Sequence, residues 1–265
     1  ALLPFEPPYM EAAGMTCDFV GHPIAQRPSP TRGEVLAARR RWGLEEGTPT
    51  LLVAPGSRKS EVARLAPLFR EVVTRAKAKI GGLRVLVPVA ETVAPEVRSA
   101  LADFPGDPVL IRPDWGEPAK LAAFAVADAA LLASGTVTLE MAAARTPMVA
   151  CYKTSWLTAA IVRRIVKVRT ANLVNLVSGE TPVPEFLQEY ATPEVVSDAL
   201  IPLLTDWTAA EPQLMAFEKV LGQLGSDGEA PEDRAAASIL RKIGLASPQE
   251  EPTPPPFIPR SRGSG

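Results

Sequence analysis

The chain has 265 residues, 46% apolar and 22% charged, with a formal net charge of −2. That is the balance of an ordinary soluble globular protein and excludes the basic field of a nucleic-acid binder. Two distant cysteines, Cys17 and Cys151, exclude a disulfide framework, and with a single histidine, His22, they cannot build a His/Cys metal site.

Residues 1–30 are Pro-rich and carry two short apolar pieces, ALLPF and CDFVGHP. The opening ALLPFE, with no initiator methionine, reads as a strand already under way and so as a chain that has lost its N-terminal part. SPTRGEVLAARRRWGL then predicts a helix capped near Ser29 or Thr31 and stopped at Gly43. From Thr50 the pattern alternates. Strands are expected at TLLVA, LRVLVPV, PVLIR, DAALLA and PMVACY. Helices are expected at KSEVARLAPLFREVVTRAKAK (despite Pro67), TVAPEVRSALADF, EPAKLAAFAVA, TVTLEMAAAR and SWLTAAIVRRIVKV. Short, continuously apolar strands between helices predict a parallel sheet covered on both faces, a Rossmann-like, doubly wound α/β domain over residues 31–190. Residues 191–245 read as helices only, and 246–265 as a Pro-rich disordered tail. No apolar run is long enough to span a bilayer.

In an open parallel sheet, ligands bind beyond the C-terminal ends of the strands. Three stretches fall there. In PGSRKSE, Gly56 and Ser57 allow a tight turn, free amides at a helix start suit a phosphate, and Arg58 offers a bidentate clamp. In ASGTVTLE, Ser134, Gly135 and Thr136 offer hydroxyls and amides to a diphosphate, and Glu140, one helical turn on, can accept from a ribose diol. In NLVNLVSGE, residues 172–180, a polar loop is placed to close over a ligand. Each also reads as plain capping or connection. On the helix from Ser155, Arg163, Arg164 and Lys167 with Trp156 suggest either a membrane-surface face or a solvated basic face on a sheet-packing helix. His22 reads as a turn residue and Cys151 as core.

Taken together, LLPFEPPYMEAAGM, FVGHP, PGSRKSEV, DAALLASGTVTLEMAAARTPMVACYK, IVKV, NLVNLVSGE and VPEFLQ resemble the lipid-A-disaccharide synthases, in the same order over most of residues 2–190. The resemblance implies an inverting glycosyltransferase of the two-domain GT-B type that needs no metal or other cofactor. Its reaction joins UDP-2,3-diacylglucosamine to 2,3-diacylglucosamine 1-phosphate and releases UDP. It implies that Ser134, Gly135 and Thr136 hold the diphosphate, Glu140 the ribose, and Arg58 the charge of the leaving group, with Gly56 and Ser57 allowing close approach. Asn175 matches an asparagine of the family's late loop. The lipid substrates imply a membrane contact through Trp156, Arg163, Arg164 and Lys167, on the cytoplasmic face of the inner membrane. Homo-oligomerisation is left open. Val174-Asn175 stands where the family has Pro-Asn, and Gly179-Glu180-Thr181 where it has Gly-Arg-Glu. Residues 1–30 match only the end of the family's N-terminal acceptor domain, so no general base is assigned, and the chain alone is expected to bind UDP with little sugar transfer. A UDP-N-acetylglucosamine 2-epimerase-like enzyme and a non-catalytic nucleotide-binding module are the alternatives.

Overall fold

A computed structural model describes residues 1–154 and 170–244. The predicted helix from Ser155, with Trp156, Arg163, Arg164 and Lys167, and the Pro-rich tail lie outside the described residues. The helices are α1 (Pro7–Ala12), α2 (Arg32–Arg41), α3 (Lys59–Lys79), α4 (Ala94–Ala100), α5 (Gly116–Val126) and α6 (Val137–Ala143), followed by α7 (Leu173–Ser178), α8 (Pro193–Thr205), α9 (Trp207–Gln223) and α10 (Pro231–Lys242). The strands are β1 (Thr50–Ala54), β2 (Arg84–Pro88), β3 (Val109–Ile111), β4 (Ala129–Ala133), β5 (Met148–Tyr152) and β6 (Glu185–Leu187). They form one sheet in the order β3-β2-β1-β4-β5-β6, parallel throughout. This is the doubly wound Rossmann-like arrangement.

The central strands are buried on both faces, which is why they read as unbroken apolar runs. Successive side chains serve opposite layers. Leu51 and Val53 pack with α3, α4 and α8, whereas Leu52 packs with α5, α6, α7 and α9. The C-terminal helices belong to these same layers: Val196 and Leu200 join the first core, and Phe217 and Val220 the second. Pro67 is tolerated inside α3 because both it and Ala63, whose carbonyl loses its partner, lie on the exposed face. Thr31 caps α2 in a reciprocal box with Glu34, as one of the two predicted positions.

Three expectations are corrected. The opening ALLPFE forms no strand; Glu6 instead accepts the Leu2 and Leu3 amides, both at 3.0 Å, and leads into α1. Residues 172–180 are not a loop: Asn172 caps α7 through the amides of Val174 (2.9 Å) and Asn175 (3.3 Å), and Gly179 ends it in a left-handed conformation. The sheet also gains β6, which pairs Phe186 with Cys151.

His22 is a turn residue. Its Nδ1 accepts the Ile24 amide at 3.1 Å and its own amide donates to the Leu224 carbonyl at 2.9 Å. Burial pushes its pKa below the ordinary 6.5, against a weaker upward pull from Glu6. The unfolded chain therefore takes up this proton first as pH falls. The His22 contribution to stability is expected to be complete above about pH 6.5 and to be lost as pH falls below it. Urea midpoints between pH 7.5 and 5 should show that slope in the wild type and not in His22→Asn, which keeps an acceptor and removes the titration.

Candidate functional site

β1 and β4 are neighbours at the middle of the sheet, where the strand order reverses direction. This is the switch point at which open α/β sheets leave a crevice. The turns after these two strands are the two picked out in the sequence. Gly56, Ser57, Arg58, Ser134, Gly135, Thr136 and Glu140 all line one cleft of about 540 Å³. Its far wall is the ends of β2 and β3, including Val89, Ile111 and Arg112.

The first turn differs from expectation in one respect. Its amides are not free: Glu61 Oε2 accepts the N–H groups of Ser57 (3.0 Å) and Arg58 (3.3 Å). A carboxylate three residues into a helix satisfies orphan amides in this way. Glu61 Oε1 also accepts the Arg58 guanidinium at 2.7 Å. Glu61 is 18% exposed and Arg58 77%, so the glutamate is the fixed partner and presents the arginine to the cleft. Gly56 has φ +122°, and a Cβ there would meet Glu61 Cβ at 2.5 Å. The glycine is needed for both conformation and space.

In the second turn the Ser134 amide donates to the Cys151 carbonyl at 2.8 Å, and the next two amides stay open: those of Gly135 and Thr136 find no acceptor among the described residues. Ser134 Oγ donates to Glu185 Oε1 at 2.6 Å, and the same carboxylate accepts the Thr170 hydroxyl and the Ala171 amide. Glu185 thus ties the turn to the segment ahead of α7. Nothing in its local sequence marks it beyond its place in VPEFLQ.

Glu140 lies at the cleft as predicted, 20% exposed, but in company the sequence did not reveal. Its Oε1 accepts Lys120 Nζ at 2.7 Å and Arg27 at 3.0 Å. Arg27 also pairs with Glu117 at 2.8 Å. Arg112, which also lines the cleft, is held by Asp114 through two bonds of 2.9 and 2.6 Å, which keep that carboxyl below its usual range.

Asn175 is not brought to the cleft. It is 2% exposed, and its carboxamide donates to the Val183 carbonyl (3.0 Å) and accepts the Val183 amide (3.1 Å). Its side chain braces the connection from α7 to β6, and a direct ligand contact from it gives way to that role. Cys151 is core, with burial pushing its thiol up to about 12. Among the described residues, no group of three or more His, Cys, Asp or Glu is placed to hold a metal ion.

Solved structures share this fold. The S. aureus MnaA–UDP complex aligns with a TM-score of 0.59 at 13% identity, over 92% of this chain and 59% of that one. A glycosyltransferase from Rickettsia africae aligns with a TM-score of 0.54 at 13% identity, over 82% of this chain and 54% of that one. The architecture is that of one Rossmann-like half of the GT-B glycosyltransferases. Among curated proteins, the lipid-A-disaccharide synthase of Ruegeria pomeroyi is 47% identical over 248 residues, covering 92% of this chain and 61% of the relative. That of Rhodospirillum centenum is 39% identical over 243 residues, covering 92% and 60%. The chain thus spans about 60% of the length of these relatives. A family model described as lipid-A-disaccharide synthetase matches residues 1–239, and the chain belongs to that family.

Proposed function

We propose that this chain is the donor-binding part of a glycosyltransferase of lipid A synthesis. The whole enzyme would join UDP-2,3-diacylglucosamine to 2,3-diacylglucosamine 1-phosphate, giving the lipid A disaccharide 1-phosphate and UDP. The observation that carries this reading is the convergence of two separate turns on one cleft at the switch point.

In the transfer, the acceptor hydroxyl attacks the donor's anomeric carbon as the bond to UDP breaks. Negative charge builds on the departing diphosphate. The open amides of Gly135 and Thr136 and the Arg58 guanidinium meet that charge, as preorganised donors do in group transfers of this kind, while Ser134, its one hydroxyl proton given to Glu185, holds the turn in place. Glu140 accepts from the ribose diol. Gly56 and Ser57 let Arg58 come close. No described residue is assigned as the base that takes the acceptor's proton, and transfer by the chain alone, which spans about 60% of its relatives' length, is expected to be negligible. The lipid substrates place the reaction at a membrane surface, on its cytoplasmic side. No helix among the described residues is long and apolar enough to cross a membrane.

Calorimetric titration with UDP tests this. Saturable binding is expected, weakened about ten-fold or more by Arg58→Ala and by Glu140→Ala, the scale of a lost hydrogen bond to a charged group. A folded wild-type chain that does not take up UDP would overturn the reading.

A further inference from the structure

Arg27 comes from the segment ahead of α2 and reaches two carboxylates of the cleft, Glu117 and Glu140, without lining the cleft itself. That segment is firmly placed. His22 caps the 3-10 turn Pro23–Gln26, and Gln26 Nε2 donates to the carbonyls of Gly225 (2.9 Å) and Gly228 (2.8 Å). Arg27 follows at once and reaches two carboxylates with two different nitrogens, Glu117 at 2.8 Å and Glu140 at 3.0 Å. Lys120 approaches Glu140 at 2.7 Å, with its ammonium 5.4 Å from the centre of the Phe124 ring. Both cations engage the same oxygen, Oε1. Oε2 has no donor among the described residues. A glutamate with one oxygen held from two sides has lost most of its rotamer freedom before any ligand arrives. The remaining oxygen is therefore preorganised, and a ligand hydroxyl that meets it gains affinity at reduced ordering cost.

We infer that Arg27 and Lys120 are positioning residues: together they clamp Glu140 so that its free oxygen selects ribonucleotides over deoxyribonucleotides, on the proposed reading that Glu140 meets the ribose. Neither cation need touch the nucleotide for this. The effect falls on the sugar hydroxyls alone, whereas general damage to the cleft would weaken every nucleotide alike.

The test is titration of the full chain with UDP and 2′-deoxy-UDP. The wild type is expected to prefer UDP by about ten-fold or more. In Arg27→Met/Lys120→Met the preference should shrink to roughly two-fold, as expected when a charged hydrogen bond loses its orientation. Lys120→Arg, which keeps a cation, should retain it, and Arg58→Ala should weaken both nucleotides and leave their ratio unchanged. Should the double variant fail to fold, Lys120→Met alone carries the same comparison of ratios. A wild-type preference that survives in the folded variants overturns the clamp and leaves the donor site standing. A wild type that binds both nucleotides equally overturns the clamp and the ribose contact together. A wild type that binds neither overturns the donor-site reading itself.

Discussion

Gly56→Ala is expected to lower the stability of the fold by about 2–4 kcal/mol and to abolish measurable UDP binding. Two costs add. At φ +122° an alanine is strained, and its Cβ would lie 2.5 Å from Glu61 Cβ and 2.6 Å from Glu61 Oε2. The first of those atoms belongs to the helix itself, so the start of α3 has to move. Glu61 then leaves the amides of Ser57 and Arg58, and Arg58 loses the partner that holds it at the cleft. Gly47→Ala separates the two costs, because Gly47 has φ +77° and no atom within 4 Å of a Cβ built there. It is expected to lose about 1 kcal/mol in urea denaturation and none of the affinity for UDP. Equal losses in the two variants would refute the steric contact as the cause.

Asn175→Ala is expected to cost about 3 kcal/mol of stability, among the larger single-residue effects outside the apolar core. The change strands both the amide and the carbonyl of Val183, a residue only 1% exposed. A buried donor and a buried acceptor left without partners each carry the full penalty of desolvation. The affinity of the folded variant for UDP should stay within about two-fold of wild type, since no interaction with the nucleotide is removed. The contrary pattern, unchanged stability with lost binding, would return Asn175 to the cleft.

These two residues also mark how far the sequence could be read. Gly56 and the 134–136 turn could be placed at the cleft because both follow apolar strands directly, and strand ends of an open parallel sheet converge on such a crevice, although their composition alone fits plain capping equally well. β1 and β4 were legible because burial on both faces leaves no polar interruption. Asn175 was misread because a capped, buried turn of helix and a polar ligand loop have the same composition. β6 was missed for a related reason: it has three residues, each half-buried, and begins on a glutamate. Its Glu185 looks like surface charge until the fold sets it against Ser134. Arg27 and Lys120 lie 113 and 20 residues from Glu140, and no periodicity joins them to it. What local pattern carries is the scaffold and the turns at its strand ends. What it leaves out is the second ring of charges that the fold assembles around them.

The strand order has a consequence for how the chain comes together. β1, β2 and β3 form one half of the sheet from a continuous run of chain, and β4, β5 and β6 form the other. The halves meet along a single seam, with Leu51 beside Ala129 and Ala54 beside Leu132. Each half can zip up from its own neighbours in sequence, but the seam closes only over the long excursion through α3, α4 and α5, and such non-local pairings are the slow ones. The cleft straddles this seam. Neither half contains it, so it comes into being at the moment the halves join. A nucleotide lodged there would act as a strut between them, and the last part of the molecule to assemble would become the part its ligand holds shut.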